Sequence, residues 1–426
     1  MLFSQSTIAL VAALLASSAV ASPTPKPNQK RSFQVELVKR SDYLPDGPAA
    51  LRKAYRKFGI IPTDIEFDAL DFEPLNLAAS IKVPQPDDGE AENGAVSATP
   101  VQNDVEYLAP VTIGGQKFVM NFDTGSADTW VFNNRLNNID KQGRQVYNPV
   151  QSNTFEEIDG STFNITYGDQ SFAHGTVCKD TIDIGGATVE GQAIGLPNDV
   201  SDSFAEDEAS DGLVGLAFTS INTMLPEQQK TFFDNVAPDL DEPVLTAQLL
   251  KGKPGSYEFG VVDNSKFLGD LVKIPVDASQ GFWEIKSTQF AVGDGKQTVV
   301  TKGSETAIAD TGTSLMLIND EIVTAYYDQV EGSVFAAATG GFIYPCATKL
   351  PDLYVSVGDT HLARIPGDVV NFATVGTNTT TGEDLCFGGI QSNAGSSLQI
   401  YGDVFFKALF VVFDQRGPSL GLAVHA

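Results

Sequence analysis

Phe122-Asp123-Thr124-Gly125-Ser126 closes an apolar run, Phe118-Val119-Met120, and it has an echo: Ala309-Asp310-Thr311-Gly312-Thr313, opened by Ala307-Ile308-Ala309. Each copy puts a carboxylate into a tight turn with a hydroxyl just behind it, at the end of what reads as a buried strand. One Asp-Thr-Gly alone is weak evidence. Two in matching contexts are stronger, and a second landmark repeats with them. Leu213-Val214-Gly215 follows the first copy and Ile400-Tyr401-Gly402 follows the second. Asp123 to Asp310 spans 187 positions, and Gly215 to Gly402 spans the same 187. Two unrelated landmarks with one offset point to a duplicated unit, each half carrying one aspartate and one apolar-apolar-Gly segment. A short-period solenoid is not what this describes.

Working outward, the chain from Glu106 reads as all-β. Glu106 to Gly115 alternates and then turns at a Gly pair, as a strand entering a hairpin does. Val131-Phe132, Gly175 to Thr188 and Leu353 to Ile365 read as strands, with short helices near Glu227 to Val236 and Glu321 to Gln329. The 426 residues allow two or three domains, and 42% hydrophobic content suffices for real cores. The net charge of -27 speaks against nucleic acid as a partner. Beyond residue 100 the chain has 17 Lys+Arg against 42 Asp+Glu. In acid many of those carboxylates become neutral and few cations remain to repel one another, which suits a protein that stays compact at low pH.

Several motifs in order now carry a resemblance: Asp123-Thr124-Gly125-Ser126, Tyr167-Gly168-Asp169, Asp211 to Phe218, Asp310-Thr311-Gly312-Thr313 and Ile400-Tyr401-Gly402-Asp403. Over about Val101 to Ala426 the chain resembles the pepsin-like aspartic proteases, most of all secreted fungal members of the aspergillopepsin and penicillopepsin kind. The resemblance implies an all-β, bilobal acid protease fold: two pseudo-two-fold-related, β-barrel-like lobes with a central active-site cleft. It implies catalytic Asp123 and Asp310, supported by Thr124, Gly125, Ser126, Thr311, Gly312 and Thr313. It makes Tyr167, Gly168, Asp169 and Ser171 part of a flap over substrate, with Tyr167 hydrogen-bonding towards Trp130. Gln170 departs from fungal relatives, which usually have Gly there. It implies a Cys346–Cys386 disulfide, which leaves Cys178 as a buried small hydrophobe. Expected partners are protein and peptide substrates, pepstatin-type inhibitors and the chain's own pro-segment. No cofactor, metal, nucleic acid or membrane is expected, and the chain is expected to be a monomer.

The expected organisation is a signal peptide at 1–21, a pro-segment at 22–100, an N-terminal lobe at 101–275 and a C-terminal lobe at 276–426. Ile8 to Leu15 is an apolar centre followed by Ala19-Val20-Ala21, a small-x-small ending fit for signal peptidase and too short to span a membrane. Ser22 to Lys57 is basic, opposite in sign to the rest. Gly47 to Gly59 combines helix formers with a basic face, and dibasic pairs stand at Lys30-Arg31 and Lys39-Arg40. A basic helix can also be a membrane-surface or calmodulin-like element. After a signal peptide and before an acidic body, an inhibitory segment is the better reading, with Lys57 as the candidate facing the aspartates. Two sequons, Asn164-Ile165-Thr166 and Asn378-Thr379-Thr380, are candidate glycan sites, Asn378 the better because Asn164 crowds the Tyr167 stretch.

The resemblance also implies the chemistry, that of a pair of carboxylates brought together. Amide hydrolysis without a metal or covalent intermediate needs an activated water and an acid for the carbonyl oxygen. Two adjacent carboxyls sharing one proton supply both, because like charges cannot both ionise easily at short range. Competing enzyme classes fare worse. The chain has three histidines, His174, His361 and His425, and no Gly-x-Ser-x-Gly elbow for a serine hydrolase. His174 and Cys178 are four apart in strand-like sequence, a spacing that does not converge on zinc, and there is no His-Glu-x-x-His. A protease-like binding protein with a dead site would usually have lost an aspartate or the following Gly, and both survive. The resemblance implies an acid-active endopeptidase, secreted or, as the lesser alternative, vacuolar, that prefers large apolar side chains and, through Asp169 and Ser171, also accepts Lys before the cut.

Overall fold

The computed structural model describes residues 32–36, 46–60, 62, 72–74, 107–137, 141, 144–166, 172–205 and 210–426. The expected signal peptide, both dibasic pairs and Tyr167 to Ser171 lie outside the described residues. Within them the chain is all-β and bilobal.

The first half closes into a six-stranded barrel. Its strands run in the order Leu108–Ile113, Gln116–Asp123, Gly212–Gly215, Trp130–Val131, Ala187–Val200 and Phe172–Ile184. The ring shuts where Thr112 and Ile113 pair with Asp183 and Ile182. Closure removes the open edges that a flat sheet would present. The hairpin turn at Gly114-Gly115 needs glycine: both have positive φ, and a Cβ on Gly114 would run into the Asp180 and Ser152 side chains. Glu156–Thr166 lies outside the ring, paired with Phe172–Ile184.

The duplicated unit read from the sequence is a topological repeat. In the first half the strand ending at Asp123 pairs in parallel with Gly212–Gly215, in register Asp123 to Gly215. In the second half Thr306–Ala309 pairs in parallel with Gln399–Tyr401, in register Ala309 to Tyr401. Each apolar-apolar-Gly strand has an antiparallel neighbour on its other side: Trp130–Val131 in the first half, Met316–Ile318 in the second. These strands are buried on both faces, as parallel pairing inside a core requires.

A third sheet joins the halves. Its order is Phe33–Glu36, Lys253–Phe259, Val244–Leu250, Leu409–Asp414, Ser419–His425 and Phe267–Pro275. It therefore draws strands from both sides of residue 275 and from the N-terminal segment. The apolar run Phe405 to Phe413 is divided between a helix, Asp403–Ala408, and a fully buried strand of this sheet. Among the described residues no helix is long and apolar enough to cross a membrane.

Two expected elements differ in extent. Gly175 to Thr188 is not one strand, because Gly185 and Gly186 take positive φ and turn the chain into a hairpin. The helix expected from Glu227 begins only at Phe232, where the Thr231 hydroxyl accepts the Asp234 N–H and sets the start. Cys346 and Cys386 are disulfide-bonded, and Cys178 is free and buried in the first barrel. Burial, helped by the nearby Asp180 charge, pushes the Cys178 thiol up to about 12, so it behaves as a small hydrophobe.

Candidate active site

The two turns after the paired strands meet at the interface of the halves. Thr124 Oγ donates to Ala309 O at 2.9 Å and Thr311 Oγ donates to Phe122 O at 2.6 Å. The amides cross as well: Thr124 N donates to Thr311 Oγ at 3.2 Å, and Thr311 N to Thr124 Oγ at 3.0 Å. All four groups are buried. Each turn is thus held by the strand of the other.

This cross-bracing delivers two buried carboxylates face to face, each in the same set of donors. Asp123 accepts from Gly125 N at 2.8 Å and from Ser126 Oγ at 2.7 Å. Asp310 accepts from Gly312 N at 2.9 Å and from Thr313 Oγ at 2.5 Å. The glycines also make room. A Cβ on Gly125 would lie 2.5 Å from Asp310 Oδ1, and one on Gly312 would run into the Asp123 carboxylate. The structure brings together Asp123, Thr124, Gly125, Ser126, Asp310, Thr311, Gly312 and Thr313. Tyr167, Gly168, Asp169 and Ser171 lie outside the described residues.

Lys57 stands over the pair. Its ammonium is 2.6 Å from Asp123 Oδ1 and 2.9 Å from each Asp310 oxygen, with the side chain only 10% exposed. The helix Gly47–Phe58 brings it there. Asp46 caps its first turn by accepting from Ala49 N, and Gly59, with φ of 64°, ends it beside Lys57. Ala50, Leu51 and Ala54 form the buried stripe, in one cluster with Phe372, Val375, Leu385 and Phe387 of the second half. Tyr55, two residues before Lys57, donates to Ser392 O at 2.9 Å. The sequence reading did not pick out Tyr55, although its place beside the buried stripe was the available signal.

The electrostatics of the three groups are coupled. Burial pushes the Asp310 carboxyl up, and with the Asp123 charge beside it this outweighs the pull of Lys57, leaving it at about 6. Burial acts on Asp123 too, but the Lys57 charge and hydrogen bonds from Asp310, Lys57 and Ser126 reverse it, and Asp123 lies below its ordinary value. Burial lowers Lys57, and the two carboxylates more than restore it. The two carboxyls titrate as a unit, and below about pH 6 they share one proton and leave one negative charge facing Lys57. Two carboxyls in that state can hold a water, take its proton with one and donate with the other.

Nearby, Trp130 is packed between Phe132, at 5.2 Å between ring centroids, and Phe204, edge-on at 5.4 Å. Its buried Nε1 has no acceptor among the described residues. Asp128, five residues after Asp123, is also buried and was not singled out from the sequence. It accepts from Asn222 Nδ2 and from the backbone N–H and hydroxyl of Thr223, and burial raises it to about 6 against those bonds. Among the described residues no group of His, Cys, Asp and Glu has a metal-binding arrangement.

The family model for eukaryotic aspartyl proteases matches residues 106–425. The chain is 60% identical over 407 residues to the aspartic protease PEP3 of Coccidioides posadasii, covering 95% of this chain and 92% of that one. It is 55% identical over 407 residues to an aspergillopepsin A-like protein of Aspergillus fumigatus, covering 93% of each. Aspergillopepsin-1 of Aspergillus oryzae is 40% identical over 424 residues, 98% of each chain. The crossed turns, the paired carboxylates and these matches agree: the chain belongs to the eukaryotic aspartyl protease family and is an aspartic endopeptidase.

Proposed function

We propose that the chain is made as a secreted, auto-inhibited zymogen whose mature form cleaves proteins at acid pH with a water held between Asp123 and Asp310. In this reading Asp123 takes the water's proton while Asp310 donates to the substrate carbonyl, and the roles reverse as the amine leaves. Gly125, Ser126, Gly312 and Thr313 fix the carboxylates, and Thr124 and Thr311 keep the two turns in register. Tyr167, Gly168, Asp169 and Ser171 cover the substrate, with Tyr167 accepting from the Trp130 indole N–H. Broad apolar specificity, with Lys also accepted before the cut through Asp169 and Ser171, completes the proposal. Pepstatin-type inhibitors would occupy the same cleft.

The observation that carries the zymogen reading is the Lys57 ammonium within 2.9 Å of both aspartates, bridging the two carboxylates that would hold the water. Residues 22–100 are then the pro-segment and 1–21 the signal peptide. Of the two sequons, Asn378 is favoured. It ends its strand and heads a turn in which its Oδ1 accepts from Thr380 N and Thr381 N, whereas Asn164, though exposed, lies mid-strand three positions before Tyr167. The test is hydrolysis of an unfolded protein at pH 3 to 4 by acid-treated precursor, titrated with pepstatin, beside the variant D123N. Stoichiometric inhibition and an inactive D123N are expected. Cleavage that persists in D123N would overturn the two-aspartate assignment, and a precursor fully active at neutral pH with residues 22–100 attached would overturn the zymogen.

A further inference from the structure

We infer that Arg144 is a positioning residue for the hydrolysis, acting through the indole of Trp130 from outside the aspartate pair. The inference rests on the reading above, in which the Trp130 indole donates to Tyr167 of the flap that covers substrate.

The guanidinium carbon of Arg144 lies 3.7 Å from the centroid of the Phe132 ring. Its Nη2 donates to Phe204 O at 3.2 Å and Ala205 O at 2.8 Å, and its Nη1 to Ser210 O at 3.3 Å. The three carbonyls belong to the connection between Val200 and Asp211, which opens with a single helical turn, Asp202–Ala205. The last carbonyls of a helical turn have no partner within it. A planar, permanently charged fork serves several of them at once while lying flat on an aromatic face. The start of the connection is also tied by Ser201 N donating to Phe172 O at 2.9 Å. Arg144 is itself delivered by a fixed backbone, because the next amide, Gln145 N, donates to the buried Asp211 carboxylate at 3.0 Å.

The two rings that confine Trp130 are thus both held by one side chain. Arg144 covers the face of Phe132 and binds the carbonyl of Phe204. The indole between them has a buried N–H with no acceptor among the described residues, so its orientation decides which group can accept from it. None of the hydrogen bonds that hold the Asp123 carboxylate passes through this cluster: they come from Gly125, Ser126, Lys57 and Asp310, with Thr124 bracing the turn. Loosening the cluster should weaken the grip on substrate and leave the proton transfers nearly intact. The guanidinium stays charged at every working pH, so the effect should not change across the acid range.

The experiment compares R144A, R144K and F204A as acid-activated enzyme on one peptide substrate. We expect R144A to raise KM roughly ten-fold with kcat within about two-fold, at every pH tested. R144K should stay close to R144A, since an ammonium cannot span the carbonyls or lie flat on Phe132. F204A keeps Arg144 and its carbonyl bonds and should show the same split, and R144A/F204A should be no worse than R144A alone. The chain has two tryptophans, and Trp283 is sealed in the core with its N–H on Leu216 O, so a red-shifted emission in R144A reports Trp130. An unchanged KM in R144A and F204A overturns the inference, as does R144K restoring wild-type KM. A loss of kcat in parallel with the folded fraction would make Arg144 merely structural and also overturn it. Residual hydrolysis by D123N would instead remove the two-aspartate reading, whatever Arg144 does.

Discussion

Thr124 and Thr311, 187 positions apart, each donate a hydroxyl to the strand that carries the other's aspartate. Each half of the duplication therefore depends on the other for the geometry of its carboxylate. Replacing Thr311 with Val keeps the shape and removes a donor from the buried Phe122 carbonyl, which costs about 1–3 kcal/mol. The larger effect should be on rate, since small misplacements of a reacting group can cost on the order of 100-fold. T311V should lose that much kcat with KM little changed, while T311S keeps most activity. Steady-state kinetics beside urea unfolding checks it, and a T311V enzyme with normal kcat would refute the coupling.

The glycines of the two turns serve the opposite aspartate more than their own loop. A methyl on Gly125 would sit 2.5 Å from Asp310 Oδ1 and 2.6 Å from its Cγ. Neither turn can retreat, because the crossed threonine bonds hold both. G125A should fold, judged by circular dichroism, and lose on the order of 100-fold or more in kcat. Retained activity would mean that the turn has more freedom than its hydrogen bonds suggest.

Legibility in the sequence followed how local each feature is. The shared offset exposed the repeat because strand, turn and aspartate are consecutive, and Asp123 and Gly215 do stand in register. The Gly47–Phe58 helix was readable for the same reason: composition, cap and terminal glycine lie within fourteen positions. Barrel closure through Thr112 and Asp183 carries no local signature. The strand Phe33–Glu36 is equally silent, since four residues have no period to read and the pairing is decided by the free edge of Lys253–Phe259. Asp128 escaped because an aspartate after a turn looks solvated, and only the loop at Asn222 and Thr223, far off in sequence, buries it.

In the proposed zymogen, Lys57 should set the acidity at which the N-terminal segment is released. Asp123 is held below its ordinary value of 3.8. A depressed carboxyl gives stability that is present above the ordinary value and lost as pH falls through the depressed one. The attachment of the N-terminal segment should therefore hold at neutral pH and weaken as acid protonates the carboxylates that face Lys57. K57M has similar length and no charge, so the buried carboxylates lose their cation. Its segment should detach at higher pH, and peptide hydrolysis should appear nearer neutrality. Activity and gel mobility followed from pH 7 to 2.5 decide this: an unchanged threshold in K57M means that the helix alone, through Leu51 and Tyr55, keeps the enzyme shut.

The Cys346–Cys386 bridge closes a loop of 40 residues in the second half. In the chain-entropy model such a loop removes about 4 kcal/mol of freedom from the unfolded state. The bridge ties the turn after the strand Gly341–Pro345 to the strand Asp384–Gly388, whose Leu385 and Phe387 pack against the Gly47–Phe58 helix. C346S/C386S should lower the unfolding midpoint in urea without changing KM. A variant as stable as wild type would show that residual structure already restrains that loop in the unfolded chain.

Asp128 should make the folded enzyme sensitive to neutral pH. The residue is 2% exposed, and its hydrogen-bond partners, Asn222 and Thr223, are neutral. Burial is the largest influence and raises it from 3.8 to about 6, with the Thr223 bonds opposing. A raised carboxyl contributes stability that is complete below the ordinary value and is lost as pH rises through the raised one. The contribution is on the order of 3 kcal/mol, present below about pH 4 and gone above about pH 6. In D128N the Oδ1 atom can still accept from Asn222 Nδ2 and Thr223, and nothing remains to ionise. Thermal unfolding from pH 4 to 7.5 should then fall less steeply in D128N than in wild type, with the two curves diverging between pH 4 and 6. If the curves stay parallel, the loss of stability on approaching neutrality belongs to other carboxyls, with Asp310 the first to examine, since it too is buried and raised to about 6.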